Sequence, residues 1–196
     1  MSTFALYADA SLTTPLSELA TDHKTDFSTD PQDRQMWFGS TTPSRQLRAA
    51  SNPGVDQIVL TITQKIAAWS ASAAIASGAK RRPTTTNNRI YQAGGAGTTG
   101  GTEPTWPTTL GATVVDNDIT WTCLAYEDTP NEYKLALTAG GLAGATAGAS
   151  LNLGTTILSG AGNALAVWTR ATNPDANIQD EAMIRHETNA LREDAV

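Results

Sequence analysis

A glycine run, an acidic triplet and a tryptophan set between prolines are the residues of this chain whose types and spacing could do chemistry. Gly95-Ala96-Gly97-Thr98-Thr99-Gly100 carries the letters of a dinucleotide-binding turn. Such a turn must open into a helix whose N-terminus meets the pyrophosphate. Pro104 and Pro107 follow closely and forbid that helix. Asp116-Asn117-Asp118 offers the alternating oxygens of a calcium loop, but no glycine and distal glutamate complete it. The triplet reads instead as a hairpin turn between Val114-Val115 and Ile119-Thr120. Asp26, Asp30 and Asp33 are spread along a polar stretch and read as a solvated face.

Nucleophilic chemistry has no foothold. Gly148-Ala149-Ser150-Leu151-Asn152 lacks the second glycine of a nucleophile elbow. The two histidines, His23 and His186, stand far apart and far from the single cysteine, Cys123. Between Trp121 and Leu124, Cys123 fits as a small buried hydrophobe. Glu103 lies near Trp106, but no second carboxylate pairs with it as glycoside hydrolysis requires. The chain is therefore expected not to be an enzyme and to need no metal or other cofactor.

Aromatic rings are the remaining candidates. Trp69, Tyr91, Trp106 and Trp121 crowd a stretch that is otherwise small and polar. Large rings can supply the core of a small module. Alternatively they form a platform for a glycan, with Trp106, held between Pro104 and Pro107, as its best member and Tyr91 and Trp121 beside it.

The elements that must position these residues read as strands. Phe4 to Ala8, Gln35 to Gly39 and Leu165 to Arg170 are short apolar runs, and Gln57 to Thr63 is rich in β-branched residues. Tyr133 to Thr138 alternates, and Asn52-Pro53-Gly54 is a turn with fixed and permissive φ side by side. The expected fold is all-β: a discontinuous β-sandwich of residues 1–65 and 128–174, with Val59 and Leu137 in one core. Residues 66–127 form a small β module inserted in one of its loops. Asn173-Pro174 reads as a helix start, with acidic residues first and Arg185 and Arg192 later. A polar C-terminal helical arm is thus expected over 175–196, either offering Ile178, Met183, Ile184 and Leu191 to another subunit or lying as a surface helix on its own.

Composition agrees. Charged residues are 16% of the chain, against about a quarter in an average protein, so a helical bundle is disfavoured. The net charge of −6 argues against nucleic acid, which needs clustered cations. The one basic run, Lys80-Arg81-Arg82, reads as a solvated strand edge. No apolar stretch approaches a membrane span, and no secretory leader is evident at Met1-Ser2-Thr3-Phe4, so folding in a cytoplasm without membrane insertion is expected.

One stretch is familiar as a whole. Arg82-Pro83-Thr84-Thr85, Ile90-Tyr91-Gln92, the string from Gly97 through Thr102-Glu103-Pro104-Thr105-Trp106-Pro107-Thr108-Thr109, then Gly111 to Val114, and Ile119-Thr120-Trp121 form one pattern. It resembles a small β module of tailed-bacteriophage virion proteins, similar to a carbohydrate-binding or adhesion domain. The chain departs from that pattern at Asp116-Asn117, where the family has Asp-Gly, and at Ala79-Lys80-Arg81. More loosely, Leu6-Tyr7-Ala8-Asp9, Lys134 to Leu137, Leu153 to Ile157 and Val167 to Arg170 resemble β-sandwich proteins of phage tails and baseplates. The resemblance implies a structural protein of the virion, made in the host bacterial cytoplasm. Its expected partners are copies of itself, other virion proteins and a bacterial surface glycan. A tail-tip or baseplate position is expected. A capsid decoration or head-fibre protein, and a carbohydrate-binding adsorption module, are the alternatives.

Overall fold

The computed structural model describes residues 2–17, 19, 26–174 and 183–196, and they form an all-β, sandwich-like structure of antiparallel sheets. They divide into two compact units. One holds 2–63, 130–174 and 185–196, and the other holds 64–129 with 183 and 184, within the described residues.

The first unit takes β1 (Ala5–Tyr7), β2 (Gln32–Gly39), β3 (Arg45–Ala49) and β4 (Val59–Gln64) from the start of the chain. The second unit contributes β5 (Ala74–Ile75), β6 (Lys80–Arg81), β7 (Arg89–Ala93), β8 (Gly97–Thr98), β9 (Thr113–Asp116) and β10 (Ile119–Tyr126). The first unit resumes with β11 (Tyr133–Ala136), β12 (Leu151–Asn152), β13 (Thr156–Leu158), β14 (Leu165–Ala171), β15 (Ile184–Thr188) and β16 (Leu191–Ala195).

In the first unit the sheets run β1-β2-β14-β11, β12-β4-β15 and β13-β3-β16. Period-two burial explains them. Met36 lies opposite Val167, and both are wholly buried. On the other face of the same pair Arg170 lies opposite Asp33, and its guanidinium donates two hydrogen bonds to that carboxylate, at 2.7 and 2.8 Å. The planar fork matches the carboxylate, and the arginine is the main reason the Asp33 carboxyl is held below its usual range. In and beside β4, Ile58, Leu60 and Ile62 are buried. Val59 therefore faces the other way and is only half-buried, and Leu137 is exposed beyond the end of β11. The shared core of Val59 and Leu137 is thus not formed; alternation puts their neighbours inside instead.

The C-terminal helix is the second correction. Residues 175–182 and the expected contact Ile178 lie outside the described residues, but 184–188 and 191–195 are strands. Cross-strand pairing decides this. All five residues of β16 pair with β3, and Arg48 meets Asp194 at 2.7 Å. Between β15 and β16, the Asn189 side chain accepts from the Val59 N–H and donates to the Gln57 carbonyl, which pins the turn. Local charge order at a helix terminus contributes under about 1 kcal/mol and cannot compete with such a ladder. Met183, expected on a contact surface, is wholly buried, and its carbonyl accepts from the Lys65 N–H. Ile184 and Leu191 are half-buried.

The second unit is built on the sheet β6-β7-β10-β9, with the short pair β5-β8 beside it. Its core is Ile75, Tyr91, Ala93, Ile119, Trp121 and Cys123, with Trp106 and Val114 packed against it. Burial raises the Cys123 pKa, in keeping with a core thiol. The two ends of this unit are tied together: Gln64 Nε2 donates to the Asp128 carbonyl at 2.7 Å and to Glu127 Oε1 at 3.0 Å. Thr86 Oγ1 also donates to the buried Glu127 carboxylate.

Candidate functional site

The groove of the second unit is made by two loops. One leads from β6 to β7 and carries Pro83, Thr84, Thr85 and Asn87, and the other follows β8 and carries Glu103, Pro104, Thr105 and Trp106. The two prolines of the second loop, Pro104 and Pro107, remove backbone donors and fix φ, so the loop stays extended rather than helical. The groove is open and holds about 370 Å³.

Trp106 forms one wall. Its ring centroid lies 4.3 Å from that of Tyr91 and 5.8 Å from that of Trp121, the latter edge-on. Tyr91 and Trp121 are wholly buried, so neither can offer a ring face to a ligand. The three-ring platform is corrected to one half-buried ring, Trp106, resting on two core rings. Tyr91 is held by its hydroxyl, which donates to the Pro107 carbonyl at 2.8 Å and accepts from Asn87 Nδ2 at 2.7 Å. Asn87 Oδ1 is buried and has no hydrogen-bond partner among the described residues.

Glu103 joins the two loops. Its Oε1 accepts from the Thr84 N–H and from Trp106 Nε1, each at 2.8 Å, and its Oε2 accepts from the Thr84 hydroxyl. Desolvation pushes its pKa up, but these donors outweigh it and hold the carboxyl below its ordinary value.

Behind the groove lies a second carboxylate that the sequence did not single out for this role. Asp116 is buried; its Oδ2 accepts from Trp69 Nε1 at 2.8 Å and Trp121 Nε1 at 3.1 Å. Its Oδ1 accepts from the Gly100 N–H at 2.7 Å. A Cβ on Gly100 would stand 2.8 Å from that oxygen, which is why the run requires glycine there. The GxGxxG letters thus serve an internal carboxylate. Asp116 and Ile119 close the expected hairpin, with Asn117 at a φ of 53° that asparagine tolerates.

Sequence reasoning found Trp106 but missed Thr84, Thr85, Asn87 and Thr105, because ordinary loop threonines carry no spacing signal. Among the described residues no group of His, Cys, Asp and Glu side chains is placed to hold a metal ion. No helix among them is long and apolar enough to cross a membrane. Comparison of the chain with protein-family models, curated proteins and solved structures finds no match.

Proposed function

We propose that this chain is a non-enzymatic structural component of a tailed-bacteriophage particle, at the tail tip or baseplate, carrying its 64–129 unit as a surface-binding module. Assembly is through contacts with copies of itself and with other virion proteins. The observation that supports this reading most is the neck of the second unit, where Gln64 and Asp128 are hydrogen-bonded across the entire length of the insertion. A compact unit whose ends meet can sit on one loop of a carrier without disturbing the carrier's sheets. The resemblance of the Gly97 to Trp121 string to phage virion modules supports the same reading.

Gold-conjugated antibodies against the chain, applied to purified particles, test it, with mass spectrometry of the same particles for copy number. Label at the free end of the tail is expected. Label on the head favours a capsid decoration or head-fibre protein. Particles that lack the chain overturn the proposal.

A further inference from the structure

We infer that β9 is the strand by which two copies of this chain pair, antiparallel and edge to edge about Val114, joining their second-unit sheets into one. This gives a surface to the self-assembly proposed above, and it is derived from the hydrogen-bonding pattern of the edge itself.

β9 ends the sheet β6-β7-β10-β9. In an antiparallel ladder a strand directs the N–H and C=O groups of alternate residues to opposite sides. The Thr120 carbonyl of β10 accepts from the Gly94 N–H on the β7 side. Cys123 instead accepts from the Gly111 N–H and donates to the Ala112 carbonyl, just ahead of β9. Ile119, Trp121 and Cys123 therefore direct their backbone groups toward β9. Asp116 and Val114 pair with the first two of them, so Thr113 and Val115 direct theirs away from the sheet. Among the described residues nothing bonds to those outward groups.

Other edges of this chain are guarded. β6, at the far side of the same sheet, carries Lys80 and Arg81. Next to it Arg82 donates its N–H to the Ala67 carbonyl and accepts from the Trp69 N–H. In the first unit β1 is covered by a returning segment, where Leu16 donates to the Leu6 carbonyl and Ala8 to the Thr14 carbonyl. Proteins blunt open edges with charge, proline or a bulge. Thr113-Val114-Val115 has no charge and no proline, and its register with β10 is unbroken.

The edge fits a second copy of itself. Thr113 and Val115 stand symmetrically about Val114, so a two-fold axis there sets each Thr113 opposite the Val115 of the second copy. Each such pair exchanges both of its backbone hydrogen bonds, and every outward group is satisfied. Val115 is 69% exposed and Thr113 is exposed beside it, so pairing brings the two β-branched side chains together on one face. Charge agrees, although a net charge of −6 opposes association in general. The Asp116 carboxylate is turned inward and held by Trp69, Trp121 and Gly100. Asp118 of each copy falls beyond opposite ends of the joint ladder, roughly 20 Å or more apart, which is past the Debye length at physiological salt. The edge is short, so a dissociation constant of roughly 0.1–1 mM is expected. An assembly that holds copies side by side raises their effective concentration.

Sedimentation velocity and ¹H–¹⁵N NMR of the full chain test this, at roughly 0.15 M salt and from roughly 20 µM to 1 mM protein. The mass should rise toward that of a dimer, and the Thr113 and Val115 amides should shift with it. Val115→Lys and Thr113→Glu alter exposed side chains, so the remaining resonances should stay in place at low concentration. Each alone should weaken self-association at least about tenfold, because like charges then share the joint face. Mixing the two variants should restore association, since the register sets the two altered positions opposite each other with opposite charges. A chain that stays monomeric at roughly 1 mM overturns the inference. So does association that both single variants leave intact, a mixture that fails to associate, or shifts confined to residues outside β9 and β10. If a monomer's Val115 amide moves only on adding an alternating Thr-Val hexapeptide, the edge takes a foreign strand and self-pairing is refuted. Antibody labelling of particles reports location and not pairing, so this inference and the virion reading fail separately.

Discussion

Asp116 shows how a single residue organises the second unit. Burying a carboxylate costs several kcal/mol unless donors replace water. Two indole N–H groups and one backbone N–H do so here, each bond strengthened by the charge. Asp116→Asn keeps the shape but turns an N–H₂ toward one set of donors. It is expected to destabilise the chain by about 2–4 kcal/mol in urea unfolding followed by tryptophan fluorescence. Gly100→Ala should cost about 1–3 kcal/mol in the same measurement, since the added methyl displaces Oδ1. The two losses should be less than additive, because both break one bond. The turn around Asp116 was legible in the sequence: β-branched residues flank a pair that tolerates positive φ. Its two indole partners were not, since Trp69 lies 47 residues away and no periodicity links the two. The platform reading of Tyr91 and Trp121 failed for a related reason. Ring type alone does not say which side of a sheet is covered.

Strands rather than single groups decide the C-terminal segment. β4 was legible from its β-branched run, and β2 and β14 from short apolar runs, because each meets a partner through one alternating face. β15 and β16 were not, because Arg185, Glu187, Arg192 and Asp194 fit a solvated helix as well as they fit strands whose charges pair two residues along the same face, with Arg48 reaching Asp194 from β3. Truncation after residue 183 should therefore leave β3 and β4 with open edges and abolish the cooperative thermal transition of the first unit. An unchanged transition would mean that the segment is a dispensable arm. β15 also contains His186, whose Nε2 is buried without a hydrogen-bond partner among the described residues and whose pKa burial lowers. Unfolded, the imidazole titrates near ~6.5. As pH falls below that value the unfolded chain takes up a proton that the folded chain refuses. Stability is thus lost on acidification, down to the folded pKa. His186→Gln should flatten the stability curve between about pH 6.5 and 5, read by urea unfolding at each pH.

At the scale of the whole molecule the chain divides into two units, and their stabilities should be separable. Native-state hydrogen exchange is expected to show amides of β7 and β10 opening with one free energy and those of β2 and β14 with another. Asp116→Asn should lower the first set and leave the second; one shared value that moves for both would refute this division. The neck at Gln64 and Asp128 has a further consequence. The entropy of closing a connection depends mainly on where its ends must meet and rises only logarithmically with what lies between them. Such a connection tolerates exchange: a foreign domain whose termini converge across the same gap is expected to replace residues 65–127. Exchanging that cassette should leave the unfolding of β2, β3 and β14 as it is.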